Sequence, residues 1–514
     1  MTGLSLIAAG AAAIVLGAAL PSVAAADDYC VAPKDTCAAG NVPDLETALT
    51  SAKNHAGPDR VLLDQGTYVA EGPVGFQYAS FDPVEIAGAG RGSTILTTKS
   101  GSKGEVLRLL GDLDSSVHDL TIRIPAQAQT GFMGLYARSV ARRIAIVESA
   151  DQPNQRRGAR LDAPGVLEDS SVELGAGGTG VWLTSANLST LPNVLRRSVV
   201  TADSGVFADR GGAIESSYVT GIHEAIGAQG GVTTVAHSVA RTTADGATAL
   251  YASSDASNTA VNIGDSTMAG STTGGSGIFA TTEFFPTSAL SVTIANSIVR
   301  GATPMLARGA GPAKATIDAS WSDYDPSGNV RDGAYAEITG TNVQNAGDAR
   351  FADAAAGDFR LLPGSPMIDA GDPAAAGGLD LDGRPRAVDG NGDGTARRDI
   401  GAYEFQPTPA RPSPDTKAPV ISGLRASRSR LRYALSEKAR VTVRIQRRLG
   451  GRHTRYRTLG KLSASAREGA NRTRLSARLR RLDARRGRYR AAIVATDAAG
   501  NRSTAKTATF RVAG

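Results

Sequence analysis

The stretch AVDGNGDGTARRDIGAYEF, residues 387–405, sets Asp389, Asn391 and Asp393 at alternating positions ahead of Gly394, with Asp399 further on. Alternating oxygen-bearing side chains before a turn glycine are how a chain wraps a hard cation. An EF-hand would place its bidentate carboxylate where this chain has Ile400, which argues against that arrangement. Asp380 and Asp382 lie near enough in sequence to join a different oxygen set. Two expectations stand for the stretch: a structural calcium ion, or a metal-free Gly/Asp turn network.

Two other sets could move protons. His223 and Glu224, in GIHEAIG, have the types of an acid–base pair, or are satisfied turn residues. His118, Arg142, Asp169, Arg196 and Glu215 each fall two positions ahead of the anchor residue of a recurring strand-like phrase, so in-register stacking would place them in one row. A cross-strand salt-bridge ladder is the simpler meaning of such a row. The sharper one is a groove where Asp169 and Glu215 act as acid and base, or where Arg142 and Arg196 grip a uronate. A one-residue register error would dissolve the row. Trp182 and Trp321 have the type that stacks on sugar rings or plugs a core.

The phrases that would position these residues recur: HDLTIRI, RRIAIVE, EDSSVEL, RRSVVTA, ESSYVTG, AHSVART, GDSTMAG, ANSIVRG and SWSDYDP. Anchored at Leu120, Ile144, Ser171, Ser198, Ser217, Ser238, Ser266, Ser297 and Ser322, they are 19 to 31 residues apart, the length of one solenoid coil. Each unit holds short β-prone runs between Gly, Asp, Asn and Ser, without helical periodicity. A unit this short cannot bury its apolar face alone, so the units must stack around a narrow core of Val, Ile and Leu. The recurring Ser suits a turn whose side chain bonds the adjacent coil.

Composition agrees. Aromatics are 5% of 514 residues and Gly numbers 60, a profile of tight turns that disfavours a helix bundle. Residues 411–514 carry 28 Lys and Arg against 5 Asp and Glu, a net of +23, which leaves −16 on the rest. An acidic body is therefore joined to a basic module. Five prolines in QPTPARPSPDTKAP, residues 406–419, mark a stiff linker, placed at 406–417. From 418 onward short alternating runs predict a small antiparallel sandwich. VPDLETALTSAKNHAG, within an N-terminal cap at 27–57, has Leu45, Ala48 and Leu49 at helical spacing and Asp44 as N-cap.

Residues 1–26 join an apolar run to Ala24-Ala25-Ala26 ahead of Asp27, as in a secretory signal peptide; they lack a basic start, so an uncleaved anchor is the alternative. No later stretch is long and apolar enough to span a bilayer. Cys30 and Cys37, the two cysteines of the chain, are expected as one small-loop disulfide in an oxidising compartment, or as free thiols.

By its repeats, residues 40–405 resemble the secreted right-handed parallel β-helix proteins of the pectate-lyase-like superfamily. DRVLLDQGTYVAEGPVGF and VEIAGAGRGSTILTT look like opening coils, and GDFRLLPGSPMIDAGDP through DIGAYEF like the closing segment of bacterial members. The basic module, with YRAAIVATDAAGNRS, resembles bacterial immunoglobulin-like or fibronectin-III-like domains. The resemblance implies an all-β chain, a helix over 58–405 followed by a sandwich over 418–514, and a glycan-binding groove. The hydrolase phrases NTD, GHG and RIK and the lyase patterns RxPxxR and WxDH are absent, and Lys103 and Lys314 are the only lysines between 100 and 380. We expect a secreted or surface monomer that binds extracellular polysaccharide or an anionic envelope polymer, without assigned catalysis. The alternatives are a lyase or glycoside hydrolase with a diverged groove site, and a structural adhesin. Sparse aromatics in the basic module argue against nucleic acid.

Overall fold

The computed structural model describes residues 26–31, 41–72, 74–150, 155–185, 191–375, 377–407, 415–450, 454–482 and 484–513. The proposed signal peptide up to Ala25, Cys37 and linker residues 408–414 lie outside them. The chain divides into two units, at Met1–Pro407 and Thr408–Gly514.

The first unit is a parallel β-helix in which each strand pairs with its counterparts one coil before and one coil after. Its first face runs through Ser116–His118, Val140–Arg142, Val166–Glu168, Val194–Arg196, Gly212–Glu215 and on to Ala315–Ser320. A single residue then turns the chain. Asp119, Arg143, Asp169, Arg197, Ser216, His237, Asp265, Asn296 and Trp321 fill that position with φ between 46° and 57°. Asp and Asn tolerate this left-handed conformation; Arg143, Arg197 and Trp321 are held in it by the coils on either side.

From Ser170 onward the next residue is serine, and its hydroxyl satisfies backbone groups that the turn would leave unpaired. Ser198 Oγ accepts the Ser170 N–H at 3.2 Å and donates to the Arg196 carbonyl at 2.9 Å. The pattern repeats through Ser217, Ser238, Ser266, Ser297 and Ser322. The anchor after Val166–Glu168 is thus Ser170, where the sequence pattern points to Ser171.

The second face comprises Thr121–Ile124, Ala145–Glu148, Ser171–Glu173, the first halves of Val199–Asp209 and Tyr218–Gln229, then Val239–Thr242, Thr267–Ala269 and Ile298–Arg300. The third comprises Glu105–Leu109, Phe132–Ala137, Arg156–Asp162, Gly178–Thr184, the second halves of the two long strands, then Thr248–Ser253, Ser276–Thr281 and Thr303–Arg308. Inward positions stack like on like. Ile122, Ile146, Val172, Val200 and Val219 form one buried column and Leu135, Ala159, Val181, Val206 and Ile226 another. At the N-terminal end, helix Leu45–Asn54 buries Leu45, Ala48, Leu49 and Ala52, and Asp44 Oδ1 accepts the Thr47 N–H at 2.7 Å.

The segment after Thr341 does not simply clamp the last coil; it runs back along the second face. The outward column there is Tyr218, Val239, Thr267 and Ile298, too apolar to leave in water. Phe359, Tyr403, Ile368 and Ile400 cover it. Polar pairs fix the register: Tyr218 donates to the Gly357 carbonyl at 2.7 Å, and the Asp372 N–H to Asn296 Oδ1 at 2.7 Å. Arg398 Nη1 meets both Asp265 carboxylate oxygens at 2.7 and 2.8 Å. Fully buried Arg386 donates to the carbonyls of Asp265, Gly401 and Ala402.

The second unit has a three-stranded antiparallel sheet of Ile421–Ala426, Arg430–Leu435 and Gly469–Arg474. A four-stranded antiparallel sheet is built from Ala439–Leu449, Arg455–Ala466, Gly487–Thr496 and Lys506–Val512. Both contribute to one core around Leu431, Val443, Tyr489 and Ile493.

Candidate functional site

The charged row is real, with one member changed. Arg142 pairs in register with His118 and Glu168, Glu168 with Arg196, and Arg196 with Glu215. Asp169 is not in it. The one-residue turn after each first-face strand moves Asp169 into a neighbouring column with Asp119, Arg143 and Arg197. This is the register slip to which alternating side chains are most sensitive. Both columns form ion pairs across coils: Arg196 to Glu168 at 2.6 Å, Arg197 to Asp169 at 2.8 Å, and His118 to Glu85 at 2.8 Å. Arg143 holds the Asp119 carboxyl down at about 2, and Arg197 likewise lowers Asp169. Carboxylates locked in the ionised form by guanidinium neighbours are poor proton donors at neutral pH. The first face is a salt-bridge ladder.

The calcium candidates likewise hold each other's backbone. Asp389 accepts the N–H groups of Gly392, Asp393 and Gly394 at 2.7, 3.1 and 2.8 Å. Asn391 Oδ1 accepts from Asp393, and Asp393 Oδ1 from Thr395, each at 2.8 Å. Asp399 is fully buried, and its two oxygens accept the Asp369 and Phe405 N–H groups at 2.7 and 2.6 Å. Burial pushes its carboxyl up to about 7, and burial with Asp399 nearby pushes Glu404 to about 9. Asp380 braces Arg384 and Glu404, and Asp382 pairs with Arg360. Oxygens aimed at separate N–H donors fit a turn network better than a calcium cage, whose ligands converge on one point. A chelator is therefore expected to leave the thermal midpoint unchanged; a fall that Asp393→Ala abolishes would put the ion back.

The third face offers different chemistry. Its strands enter through Gly134, Gly158, Gly180 and Gly205, where a Cβ would meet the next coil's carbonyl oxygen at 2.5 to 2.6 Å. That close passage fixes the register of the strand residues beyond each glycine. Outward in one column stand Arg108, Tyr136, Arg160, Trp182, Phe207, Gly227, Tyr251 and Phe279. Trp182 meets Phe207 edge to face, as Tyr251 meets Phe279. Arg157 lies 3.7 Å over the Trp182 ring centroid and Arg160 4.8 Å over Tyr136. Arg160 and Tyr136 share Asp162, at 2.9 and 2.6 Å. Arg157 has no carboxylate partner among the described residues. It lines a cleft of about 280 Å³ with Gln155, Thr179, Asp203 and Ser204.

Gly227 breaks the aromatic column, and Glu224 fills the break. A Cβ on Gly227 would meet Glu224 Oε1 at 2.5 Å and Phe207 Cδ2 at 2.7 Å. Burial raises the Glu224 carboxyl from 4.5 to about 7. His223 does not join it. A bulge between Ala202 and Ser204 sends His223 to the exposed bend, bonded to Asp203, while Glu224 takes the column of Arg157, Thr179 and Ser204. Trp321 is the turn residue of a late coil, away from this column. Sequence reasoning singles out Trp182 and Glu224 but misses the column itself. Its trace is the recurring phrase in GLYA, GARL, GVWL, GVFA, ALYA and GIFA, where the third residue faces outward.

No helix among the described residues is long and apolar enough to cross a membrane. No protein-family model matches the chain, and no curated protein matches it. Among solved structures, pectate lyase Pel9A is similar at TM-score 0.38 and 12% identity, over 70% of this chain and 90% of that one. The A-module of Azotobacter vinelandii mannuronan C-5 epimerase AlgE4 gives 0.32 and 14%, over 59% and 92%. Rice weevil pectin methyl esterase gives 0.24 and 12%, over 59% and 87%.

Proposed function

We propose that this is an exported or cell-surface protein whose third face binds an acidic extracellular polysaccharide or a similar anionic envelope polymer, with the basic sandwich as an attachment module. The observation that carries it is the outward column of rings and ring-held arginines. Rings offer sugar stacking, and Arg157, free of a protein carboxylate among the described residues, offers a forked donor to a uronate. Export is supported by Cys30, which is disulfide-bonded. The Ig/fibronectin-III-like reading of the sandwich is supported by Tyr489, near the start of its strand, whose hydroxyl donates to the Arg485 carbonyl at 2.6 Å, as in a tyrosine corner. The test incubates the protein with acidic and neutral polysaccharides, with and without calcium, scoring retention and newly formed chain ends. Retention on acidic polymers without new ends supports binding; no retention removes the reading.

A second reading, bond cleavage on the same face, is favoured by Glu224, a carboxyl with both protonation states populated at neutral pH. Cleavage would then titrate near pH 7, and Glu224→Gln would abolish it while sparing retention. Stability carries the same signature. The folded value lies above the unfolded one, so the folded chain binds more protons between pH 4.5 and about 7, and stability falls as pH rises through that window. Glu224→Gln should shrink the loss of thermal midpoint between pH 5 and pH 8; an unchanged loss would take the carboxyl out of its buried setting.

A further inference from the structure

The outer surface of the three-stranded sheet in the second unit holds arginines in opposed pairs. Arg432 is directly opposite Arg425 on one side and Arg472 on the other, and Arg430 is opposite Arg474. All five are exposed, while Leu431, Tyr433 and Leu435 between them point into the core. Like charges across a strand pair repel, and natural sheets avoid them or set an acid nearby. Here the strands ISGLRA, RLRYAL and GANRTR contain no Asp or Glu, and none of the five guanidinium groups has a carboxylate partner among the described residues. A cost to folding with no internal compensation is what a surface shaped for an outside anion shows.

The spacing narrows the partner. Three guanidinium groups lie in one line across strands about 4.8 Å apart, and a second line stands two residues along, about 7 Å away. We propose that this sheet face is a docking surface for the carboxylates of a linear acidic polysaccharide, gripped by Arg425, Arg432, Arg472, Arg430 and Arg474. This rests on the reading of the chain as a polysaccharide binder and gives the basic module its own contact with the polymer. Guanidinium forks match carboxylates in a bidentate way. The outer positions of the three strands carry no aromatic ring for nucleobases and no large apolar side chain to anchor in a bilayer.

The experiment uses the full chain on a polygalacturonate gel with a salt gradient. The triple variant Arg425→Gln, Arg432→Gln, Arg472→Gln is compared with Arg440→Gln, Arg444→Gln, Arg488→Gln, which removes the same charge from the four-stranded sheet. The first triple should lose on the order of tenfold in affinity and the second much less. Without polymer the first triple should melt higher than the unaltered chain, since the repulsion is gone; polygalacturonate should raise the midpoint of the unaltered chain and of the second triple by more than that of the first triple. Equal loss in both triples overturns the proposal, as does displacement by duplex DNA, or binding to anionic vesicles, that matches the polysaccharide. If the first triple binds as before while Arg157→Ala weakens, this docking surface falls and the third-face reading stands. If only the first triple weakens, the third-face reading falls and the docking surface stands.

Discussion

Asp265→Asn is expected to release the closing segment from the β-helix. Limited proteolysis should cut within residues 346–405 at temperatures where the unaltered chain resists, and a separate early step should appear in thermal unfolding. Asp265 is the counter-charge for Arg398, and fully buried Arg386 donates to its carbonyl. Removing one partner of a buried pair leaves the other charged and out of water, at a cost of about 3–5 kcal/mol. Asparagine is the cleaner substitution, because φ at this position is 50° and Asn accepts the left-handed region as Asp does. Asp169→Asn is the control, since it breaks an ion pair on the exposed ladder and should cost under about 1 kcal/mol. Equal small effects from the two would mean that apolar cover alone, not the arginine clamp, holds the segment down.

The second large effect is on binding. Arg157→Ala and Trp182→Ala should each weaken retention on acidic polysaccharide by on the order of tenfold to a hundredfold, the scale of a lost charge-assisted hydrogen bond or stacking platform. The two share a contact at 3.7 Å, so the double variant should lose less than the sum of the single losses. Glu168→Gln, which removes the carboxylate that Arg196 and Arg197 share on the first face, should leave retention unchanged. Loss in Glu168→Gln equal to that in Arg157→Ala would move the polymer from the third face to the first. Trp182→Phe, which keeps an aromatic platform for the guanidinium, should recover part of the affinity.

Local pattern determined much of this protein. Serine recurring every 19 to 31 residues, alternating apolar runs and a surplus of glycine leave stacked coils as the one way to bury such short strands. Asp44 with Leu45, Ala48 and Leu49 is a complete helix start within six residues, and the charge division into an acidic body and a basic module needs no structure at all. Register was decided by a single backbone residue per coil. Asp169 and Glu168 are neighbours in the chain, yet the left-handed turn assigns them to different columns.

Tertiary structure alone decided the rest, because the decisive partners are far apart in sequence or invisible in residue type. Arg398 and Asp265 are 133 residues apart. The apolar outer column of Tyr218, Val239 and Ile298 is what turns the closing segment back along the coils, and no local pattern shows which residues of a strand lack cover. Glu224 and Asp169 look alike as letters. One lies over a glycine between aromatic rings with its carboxyl raised to about 7, and the other is held below the usual range by Arg197. Proton affinity depends on burial and neighbouring charge, which only the folded coil supplies.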